Sequence, residues 1–434
     1  MISHPEYNKF KGAIWDLTGK LDNWGDRIRK AAARLESGIK SIITPGMLFE
    51  ALGFRYFGPV NGHNVGQLVK LFEHIKNLNG PILVHVFTEK GRGYTPAEVD
   101  SQKWHASTPF DKVTGETIKK SGSSLSYTSI FGNALKEIMK EDQRIVGITA
   151  AMPDGTGLDI VQEEFPDRIY DVGIAEEHAV TFAAGLATEG IIPVVAIYST
   201  FLQRAFDQII HDVSLQKLHV VFVLDRAGLV GADGATHHGS FDMSYLRMIP
   251  NMVIMAPKDE AELRNMLYTA VKYEGGPIAL RYPRSSALGV PIKEGFDIIP
   301  IGRGEVIRKG KDIALLTLGV MVDYSNKATE LLAAEGIDCH VVNMRFAKPL
   351  DYELLDEIAS KFGKIITIEE NALKGGFGTG VLEYFSEKKY GNDVFRMGLP
   401  DKFIEHGTQL ELHHLLGIDT EGIVKKVKNI FDKK

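Results

Sequence analysis

DVGIAEEHAVTFAAGLA (Asp171–Ala187) is the stretch that decides the fold of this 434-residue chain. A short β-rich segment at Ile169–Ile174 leads directly into Glu176 and Glu177, and the apolar residues that follow recur at the three- and four-residue spacing of a helix face. Sheets built from strand-to-helix units bind ligands where the carboxyl ends of their strands meet the helices. Two acids in a first helical turn can also simply complement the helix dipole. The segments that follow favour a ligand site, because they supply aromatic residues, arginines and a glycine-rich loop with histidines.

The chain separates into segments by composition. Residues 1–120 contain a charged helical stretch at Trp24–Ile43, a helix at Val65–Asn77 and a strand at Pro81–Phe87. Residues 121–290 start with a polar linker, Ser121–Ser126, and then alternate between apolar runs and helical patterns. The predicted strands here are Arg144–Thr149, Ile169–Ile174, Pro193–Ile197, His219–Leu224, Met252–Ala256 and Pro277–Arg281, and the predicted helices are Phe131–Lys140, Glu177–Thr188, Leu202–Val213 and Glu260–Tyr273.

The third segment, residues 300–434, resumes the alternation after a proline-bearing linker at Pro283–Pro300. Its predicted strands are Ile313–Leu318, Cys339–Asn343, Lys364–Ile368 and Val394–Met397, and its predicted helices are Ser325–Glu335, Tyr352–Phe362, Gly380–Lys389 and Glu421–Phe431. This pattern predicts α/β domains with mostly parallel sheets that are covered by helices on both faces.

Composition excludes several classes of partner. A net charge of −6 without a basic stripe argues against nucleic acid and anionic membranes. No apolar run approaches the length of a membrane-spanning helix, and the first residues lack an apolar signal segment. Cys339 is the single cysteine, so neither an internal disulfide nor a thiolate metal cluster can form. These features favour a cytoplasmic protein.

The segment HVVFVLDRAGLVGADGATHHGSFD (His219–Asp242) places glycines and ionisable groups just past a buried-type strand. Arg226, Asp233, His237 and His238 are among them. A polar-substrate pocket requires such a concentration, although a solvated surface loop is the alternative. Two adjacent histidines do not easily face one site, so one of them is expected to be structural. A zinc site is weakly supported, because no HxxxH spacing or cysteine accompanies them.

YSTFLQRAFDQ, which starts at Tyr198, carries two aromatic residues and an arginine. Phe201 and Arg204 are three residues apart and would share a helix face. An aromatic floor beside a guanidinium suits a flat ring with an anionic tail, while core aromatics with a solvated arginine are the alternative. Arg284 follows another predicted strand, and together with Arg226 it could clamp a phosphate.

Three other features carry weaker signals. In TEKGRGYTPAE (Thr88–Glu98), Gly91 and Gly93 would let the backbone approach a ligand. His105, taken singly, favours a structural role. GGFGTG (Gly375–Gly380) imitates a dinucleotide fingerprint, but it lacks a convincing first strand and acidic ribose partner, so it predicts a tight turn into a helix.

Eight phrases, in order along nearly the whole chain, resemble the 1-deoxy-D-xylulose-5-phosphate synthases, thiamine-diphosphate enzymes of the transketolase superfamily. They are LFEALGFRYFGPVNGH, HVFTEKGRGYTPAE, ITAAMPDGTGL, DVGIAEEHAVTFAAGLA, AIYSTFLQRAFDQIIHDV, DRAGLVGADGATHHG, RYPR and EENALKGGFGTGV. Enzymes of this family condense pyruvate with glyceraldehyde 3-phosphate and release carbon dioxide, and their product feeds isoprenoid, thiamine and pyridoxal biosynthesis. The resemblance therefore implies these two substrates, thiamine diphosphate and Mg²⁺ as cofactors, and a homodimer.

The resemblance also implies roles for individual residues. The catalytic ones are Glu176 as the activating glutamate at the aminopyrimidine ring, His237 at the pyruvate-derived adduct, and His105 in proton transfer. The cofactor contacts are Tyr94 and Phe201 in addition to Glu176, and the substrate contacts are Tyr198, Arg226 and Arg284 at the acceptor phosphate, with Asp233 and Arg204 near His237. A carboxylate at the pyrimidine nitrogen is chemically reasonable, because it stabilises the imino tautomer that the cofactor requires.

One motif of the family is absent. The family begins with a stretch that carries a catalytic histidine and a Gly-Asp-Gly…Asn motif for Mg²⁺ and the diphosphate. The Asp-Gly pairs of this sequence, Asp154–Gly155 and Asp233–Gly234, are not preceded by glycine and belong to other family phrases. We therefore expect no metal ligands in this chain. We also expect it to be the C-terminal part of a split or truncated enzyme, with a separate N-terminal subunit as a possible partner.

The resemblance predicts three α/β domains of the transketolase type. These are the rear part of a diphosphate-binding domain (1–120), a pyrimidine-binding domain (121–290) and a transketolase C-terminal domain (300–434). Two other functions stay open. One is a 2-oxoacid dehydrogenase E1 β-type subunit, although GADGATHHG, RYPR and Gly-Arg-Gly-Tyr favour a phosphorylated acceptor over a lipoyl arm. The other is a non-catalytic remnant that dimerises without binding cofactor.

Overall fold

The structure, a computed structural model, describes residues 45–99, 104, 109–118 and 125–432. The chain forms two compact units, Met1–Ser121 and Gly122–Lys434. The predicted helix at Trp24–Ile43, the candidate residue His105 and Ser121–Ser124 of the predicted linker lie outside the described residues.

The first unit contains a pair of parallel strands. Its elements are α1 (Pro45–Ala51), β1 (Arg55–Asn61), α2 (Val65–Ile75), β2 (Ile82–Phe87) and α3 (Thr95–Val99). Strands β1 and β2 pair in parallel, and α2 connects them. The Asn64 side chain caps α2 by accepting the backbone N–H of Gln67 at 3.0 Å. The predictions of α2 and β2 are confirmed within two residues, whereas β1 was not predicted.

The second unit contains the remaining elements. Those of its first half are α4 (Tyr127–Glu141), β3 (Ile145–Thr149), α5 (Pro153–Thr156), α6 (Leu158–Gln162), β4 (Ile169–Asp171), α7 (Glu176–Thr188), β5 (Ile192–Tyr198), α8 (Ser199–Leu202), α9 (Phe206–Gln208), β6 (Val221–Asp225), α10 (Asp242–Arg247), β7 (Val253–Met255), α11 (Glu260–Lys272) and β8 (Ile278–Arg281). Those of its second half are β9 (Glu305–Arg308), β10 (Ile313–Thr317), α12 (Met321–Ala334), β11 (Cys339–Asn343), β12 (Phe346–Lys348), α13 (Tyr352–Lys361), β13 (Lys364–Ala372), α14 (Phe377–Lys388), β14 (Asp393–Leu399), α15 (Gln409–Leu416) and α16 (Thr420–Asp432).

The larger sheet of this unit has seven strands in the order β12-β7-β8-β6-β5-β3-β4. All neighbours are parallel except β12, which is antiparallel to β7. Phe346 of β12 lies opposite Met255, so a strand from the second half of the unit completes the sheet of the first half. The predicted α/β class with mostly parallel strands is confirmed.

The smaller sheet has five strands in the order β14-β13-β10-β11-β9, in which only β9 is antiparallel. The chain passes from β10 to β11 on one side and later returns to β13 on the other side of β10. The strand order therefore reverses between β10 and β13. A reversal of this kind opens a crevice at the carboxyl ends of the two strands.

The core follows from the alternation of side chains along buried strands. In β6, Val221 and Val223 pack in one apolar cluster, while Phe222 and Leu224 pack in another on the opposite face. Both faces are buried, as a parallel sheet between helices requires. In the described part of the chain, no helix combines the length and apolar character needed to cross a membrane.

Several predicted boundaries are wrong. Helices predicted at Phe131–Lys140, Ser325–Glu335 and Gly380–Lys389 begin three or four residues earlier, at Tyr127, Met321 and Phe377. Strand Ile169–Ile174 ends at Asp171, because the Asp171 carboxylate accepts the Gly173 N–H and closes a turn. Helix Leu202–Val213 is divided into α8, a 3₁₀ turn, α9 and a π-helical segment at Ile209–Ser214. Strand Lys364–Ile368 continues to Ala372. The predicted turn into a helix at GGFGTG is confirmed, since α14 begins within it.

Candidate active site

The N-terminus of α7 presents a buried carboxylate. The helix begins at Glu176, one residue earlier than predicted, and the Glu176 side chain is 2% exposed, whereas Glu177 is exposed. The helix dipole favours a negative charge at this end. A buried charge nevertheless needs a partner, because the loss of hydration is costly.

Arg204 provides that partner. Its Nη1 donates to Oε1 of Glu176 at 3.0 Å and to Oε2 at 3.1 Å. The Arg204 side chain is 50% exposed, and its guanidinium carbon lies 5.3 Å from the centroid of the Phe201 ring. The predicted shared face of Phe201 and Arg204 is confirmed. Glu176 is thus a buried acid whose ion pair opens to the surface of this unit.

An aromatic group adjoins the ion pair. Tyr198, at the end of β5, stacks with Phe201 at a centroid distance of 5.8 Å and an interplanar angle of 18°. The ring of His237 meets Phe201 edge to face at 5.5 Å. Contacts therefore lead from Glu176 through Arg204 and Phe201 to Tyr198 and His237.

Arg226 is held against Tyr198. Its guanidinium carbon lies 3.7 Å from the Tyr198 ring centroid, and its Nη1 donates to Oδ1 of Asp225 at 2.9 Å and to the carbonyl of Gly155 at 2.5 Å. Asp225 is fully buried at the carboxyl end of β6 and also accepts the Thr128 hydroxyl at 2.6 Å. Burial raises the pKa of Asp225 to about 6, although the positive charge of Arg226 opposes the rise.

Arg284 and Asp233 form a second ion pair near this group. Burial raises the pKa of Tyr198, and the positive charge of Arg226, which lies against the Tyr198 ring, opposes that rise. Arg284 follows β8, which is the neighbour of β6 in the sheet, so the residues for which the resemblance implied phosphate binding follow adjacent strands. Arg226 is mostly buried by its contacts, while Arg284 is half exposed.

The loop after β6 is closed at its base by hydrogen bonds between Gly228 and Gly239, at 2.9 and 2.7 Å. His237 is half-buried beside Phe201, whereas His238 is buried, and its Nδ1 accepts the Val230 N–H at 3.1 Å. The expectation that one of the two histidines is structural is confirmed, and His238 is that residue.

These residues fit the aminopyrimidine end of thiamine diphosphate. Glu176 offers a buried carboxylate to a ring nitrogen, and in the part of the chain that the structure describes its one side-chain partner is the half-exposed Arg204. The Phe201 ring offers a flat apolar face. Among the described residues, no group of three or more His, Cys, Asp or Glu is arranged to hold a metal ion.

Two candidate residues belong to the first unit. Tyr94 packs edge to face on Trp104 at 5.0 Å and lies 6.0 Å from Phe110. Its hydroxyl is buried without a hydrogen-bond partner among the described residues, which is compatible with a polar ligand group at this position. His105 lies outside the described residues.

Sequence reasoning missed two residues that shape this site. A Cβ at Gly155 would lie 1.8 Å from the Tyr198 hydroxyl, so glycine is required for that ring to take its place. Thr128, in the first turn of α4, donates a hydrogen bond to the carboxylate of Asp225, which in turn holds Arg226. Of these two residues, only Gly155 had a signal in the sequence, because it lies in the phrase MPDGTG. Nothing in the local pattern around Thr128 indicates a contact with a residue 97 positions away.

Comparison with known families and structures agrees with the fold. The family profile for 1-deoxy-D-xylulose-5-phosphate synthase matches residues 1–88, that for the pyrimidine-binding domain of transketolase matches residues 123–288, and that for the transketolase C-terminal domain matches residues 302–423. A split-gene transketolase described as an inactive β4 tetramer has a TM-score of 0.62 and 34% identity, covering 70% of this chain and 98% of that one. A Campylobacter jejuni transketolase, at 18% identity and a TM-score of 0.58, covers 89% of this chain and 69% of its own and shows the same fold.

Curated relatives match at much higher identity. The 1-deoxy-D-xylulose-5-phosphate synthase of Chlorobaculum tepidum is 51% identical over 99% of this chain and 68% of that protein. Synthase 1 of Geobacter sulfurreducens is 53% identical over 96% of this chain and 66% of that protein. This chain therefore spans about two thirds of the length of these relatives. Because these matches run along nearly all of its residues, the chain belongs to the 1-deoxy-D-xylulose-5-phosphate synthase family, whose members are thiamine-diphosphate-dependent transferases of the transketolase type.

Proposed function

We propose that this chain carries the pyrimidine-activating and acceptor-binding parts of a 1-deoxy-D-xylulose-5-phosphate synthase. The reaction joins pyruvate to glyceraldehyde 3-phosphate and releases carbon dioxide, and its product serves isoprenoid, thiamine and pyridoxal synthesis. The observation that carries the proposal is the continuous group that begins at buried Glu176 and extends through Arg204 and Phe201 to Tyr198 and Arg226.

Glu176 is proposed as the activating carboxylate. Bound thiamine diphosphate supplies an electron sink for the decarboxylation of pyruvate. The carboxylate of Glu176 would accept a hydrogen bond at the pyrimidine ring nitrogen, and Arg204 fixes the orientation of that carboxylate by donating to both of its oxygens. Phe201 would cover one face of the ring, and Tyr94 is proposed as a further cofactor contact.

The acceptor phosphate is proposed to bind between Tyr198, Arg226 and Arg284. Arg226 is already oriented by Asp225 and by the Gly155 carbonyl, so it offers a fixed positive charge. Arg284 is paired with Asp233 and would exchange that carboxylate for the phosphate. The carboxylate and the phosphate are both anions, and a phosphate offers more oxygen acceptors to a guanidinium than a single carboxylate does.

The two candidate histidines have separate proposed roles. His237 lies beside Phe201, and we propose that it handles the pyruvate-derived adduct, with Arg204 nearby. His105 is proposed, from the resemblance alone, to take part in proton transfer.

The diphosphate and Mg²⁺ are proposed to be held by another segment. The sequence contains no Gly-Asp-Gly…Asn motif, and the β4 form of a split-gene transketolase is described as inactive. By analogy, the 434-residue chain by itself should have negligible activity, and a diphosphate-binding segment, covalently linked or separate, should restore it. A homodimer and a cytoplasmic location are proposed on the resemblance and the composition, respectively.

The test uses this chain together with the diphosphate-binding N-terminal segment of the Chlorobaculum tepidum relative, thiamine diphosphate and Mg²⁺, a mixture we term the assembled enzyme. Carbon-13-labelled pyruvate and glyceraldehyde 3-phosphate are added, and products are identified by NMR. The proposal predicts 1-deoxy-D-xylulose 5-phosphate from the assembled enzyme and almost none from the chain alone.

Two other outcomes would contradict this function. Acetyl transfer to a lipoyl acceptor without xylulose product would indicate an E1 β-type subunit. Folded, associated protein that forms no product and binds no cofactor would indicate a non-catalytic remnant.

A further inference from the structure

The loop that carries Asp233 and His237 is attached to the smaller sheet of the second unit. Leu229 of this loop is fully buried and packs in the same apolar cluster as the β10 residues Ile313 and Leu315. The loop follows β6 of the larger sheet, yet the side chain of Leu229 is part of the core of the smaller sheet.

The backbone of Leu229 is hydrogen-bonded to side chains from the second half of the unit, which contains the smaller sheet. Its N–H donates to Oε1 of Glu370 at 2.9 Å, and its carbonyl accepts Nε2 of Gln409 at 3.0 Å. Further along the loop, the Gly231 carbonyl accepts the Gly407 N–H at 3.4 Å. Both polar groups of a fully buried residue therefore depend on side chains that follow it by more than a hundred positions.

Glu370 is the centre of this attachment. It lies on β13 beyond the last residue that pairs with β10, at the crevice where the strand order reverses, and it is 3% exposed. Gly228 packs directly on it, since a Cβ at Gly228 would lie 2.4 Å from the Glu370 carboxyl carbon. In open α/β sheets this crevice holds a ligand. Here the loop from the larger sheet occupies it.

A buried histidine and tyrosine fix the orientation of Glu370. Nε2 of His413 lies 2.6 Å from Oε1 of Glu370, and Nδ1 of His413 lies 3.0 Å from the Tyr324 hydroxyl. Burial lowers the pKa of His413, but the charge and hydrogen bond of Glu370 outweigh burial and raise it above the ordinary value. A hydrogen-bonded pair in a buried site is costly to break, because either partner would be left unsatisfied.

We propose that Glu370, oriented by His413, is a positioning residue that fixes the loop after β6 through Leu229. The proposal rests on the function proposed above for Asp233 and His237. Glu370 does not reach the reacting groups itself. It sets the place of the loop tip, where Asp233 pairs with Arg284 and His237 lies beside Phe201, and it therefore affects the steps in which Asp233 and His237 take part.

The neighbouring Glu369 offers a matched control. It is also fully buried on β13, but its carboxylate accepts the N–H groups of Phe377 at 2.7 Å and Gly378 at 2.8 Å, at the start of α14. Both acids therefore satisfy buried backbone donors, and Glu370 alone of this pair bonds to the loop.

Amide hydrogen exchange of the full chain tests the attachment without any activity measurement. Glu370→Ala should speed exchange at Leu229 and Val230 by about tenfold or more, as expected for a lost hydrogen bond to a charged group. Glu370→Gln, which keeps an acceptor oxygen, should restore most of the protection. Glu369→Ala should affect the start of α14 and leave the loop unchanged.

Kinetics of the assembled enzyme test the consequence. Glu370→Ala should lower kcat/KM for glyceraldehyde 3-phosphate about tenfold, and Glu369→Ala should have a smaller effect. If Glu370→Ala does not fold, Glu370→Gln carries both tests, with about threefold effects expected.

Unchanged loop exchange in a folded Glu370 variant, or equal loop effects of Glu369→Ala, would overturn the attachment. Faster loop exchange with an unchanged kcat/KM for glyceraldehyde 3-phosphate would overturn the positioning role. An assembled wild-type enzyme without synthase activity would refute the proposed function instead, and the exchange result would still decide whether Glu370 holds the loop.

Discussion

Arg284 allows the acceptor site to be tested without disturbing the fold. Its side chain is 46% exposed and pairs with Asp233, which is also partly exposed. Removing such a pair changes the free energy of unfolding by about 0–1 kcal/mol. Arg226 is a poorer choice, because it is 12% exposed and compensates the fully buried Asp225. Arg226→Ala would leave that carboxylate unpaired and destabilise the protein by about 3–5 kcal/mol.

The expected effect of Arg284→Ala follows from two contributions. Loss of a charge-assisted contact to the phosphate costs about 1.5–3 kcal/mol. Arg284 must first give up Asp233, an exposed pair worth about 0–1 kcal/mol, so the net loss is about 0.5–3 kcal/mol. This corresponds to about a two- to 150-fold decrease in kcat/KM for glyceraldehyde 3-phosphate. Pyruvate carries no phosphate, and its KM should be unchanged.

Initial rates of the assembled enzyme, with each substrate varied separately, measure this effect. Arg303→Ala serves as the control, because Arg303 is 48% exposed and pairs with the exposed Glu353 far along the chain from the loop after β6. The reasoning is refuted if the KM for pyruvate rises while that for the aldehyde stays constant, since Arg284 would then belong to the donor site.

Two further predictions concern residues around this site and in the smaller sheet. Gly155→Ala should displace the Tyr198 ring and lower kcat/KM for the aldehyde about tenfold. Gly185→Ala is the control and should leave kcat/KM unchanged, because no heavy atom lies within 4 Å of the added Cβ. Equal kinetics of the two variants would contradict this prediction. Burial raises the pKa of Glu369 from 4.5 to about 7 despite two backbone hydrogen bonds, so its contribution to stability is complete below the unfolded pKa and is lost as the pH rises through the folded pKa. As the pH rises from about 4.5 to 8, the free energy of unfolding of Glu369→Gln, measured in urea, should therefore increase by on the order of 3 kcal/mol relative to that of wild type. If the difference in free energy of unfolding between the two proteins does not depend on pH, the raised pKa of Glu369 is refuted.

The sequence predicts five of the seven strands of the large sheet well, because these five are buried apolar runs. Val221–Asp225 and Ile278–Arg281 are examples in which both faces are covered. Parallel strands between two helical layers leave little freedom for another interpretation. The pairing of Phe346 with Met255 could not be predicted, because it joins residues that are distant in sequence and has no local pattern.

The types of helical turn in Leu202–Val213 and the position of the end of β13 could not be predicted from the sequence either. The apolar spacing in Leu202–Val213 fits an α-helix, yet the Gln203 amide bonds back to the Thr200 hydroxyl at 3.2 Å and the segment changes to 3₁₀ and π turns. The predicted strand Lys364–Ile368 stops before Glu369 and Glu370. They continue it, because partners elsewhere in the chain satisfy both carboxylates within the core.

The members of the candidate site were predicted, but the ion pairs between them were not. Glu176 and Arg204 were singled out for different reasons, and their ion pair spans 28 positions. Arg284 and Asp233 are 51 positions apart and meet only because β6 and β8 are adjacent in the sheet. Residue type and family resemblance identified the members, and the strand order determined which of them are neighbours.

The central claim is that Glu176 activates the cofactor. The most direct measurement is the rate at which the thiazolium C2 proton of thiamine diphosphate exchanges for solvent deuterium in the assembled enzyme. Glu176→Gln should slow this exchange by about 10²–10⁴-fold, the usual range for an acid–base group. The protein should stay folded, because Arg204 is half exposed and can return to water. Glu177 is exposed and points about 100° away around the helix, so Glu177→Gln should exchange at the wild-type rate. Equal exchange rates in wild type and Glu176→Gln, or equal losses in both variants, would contradict the assignment.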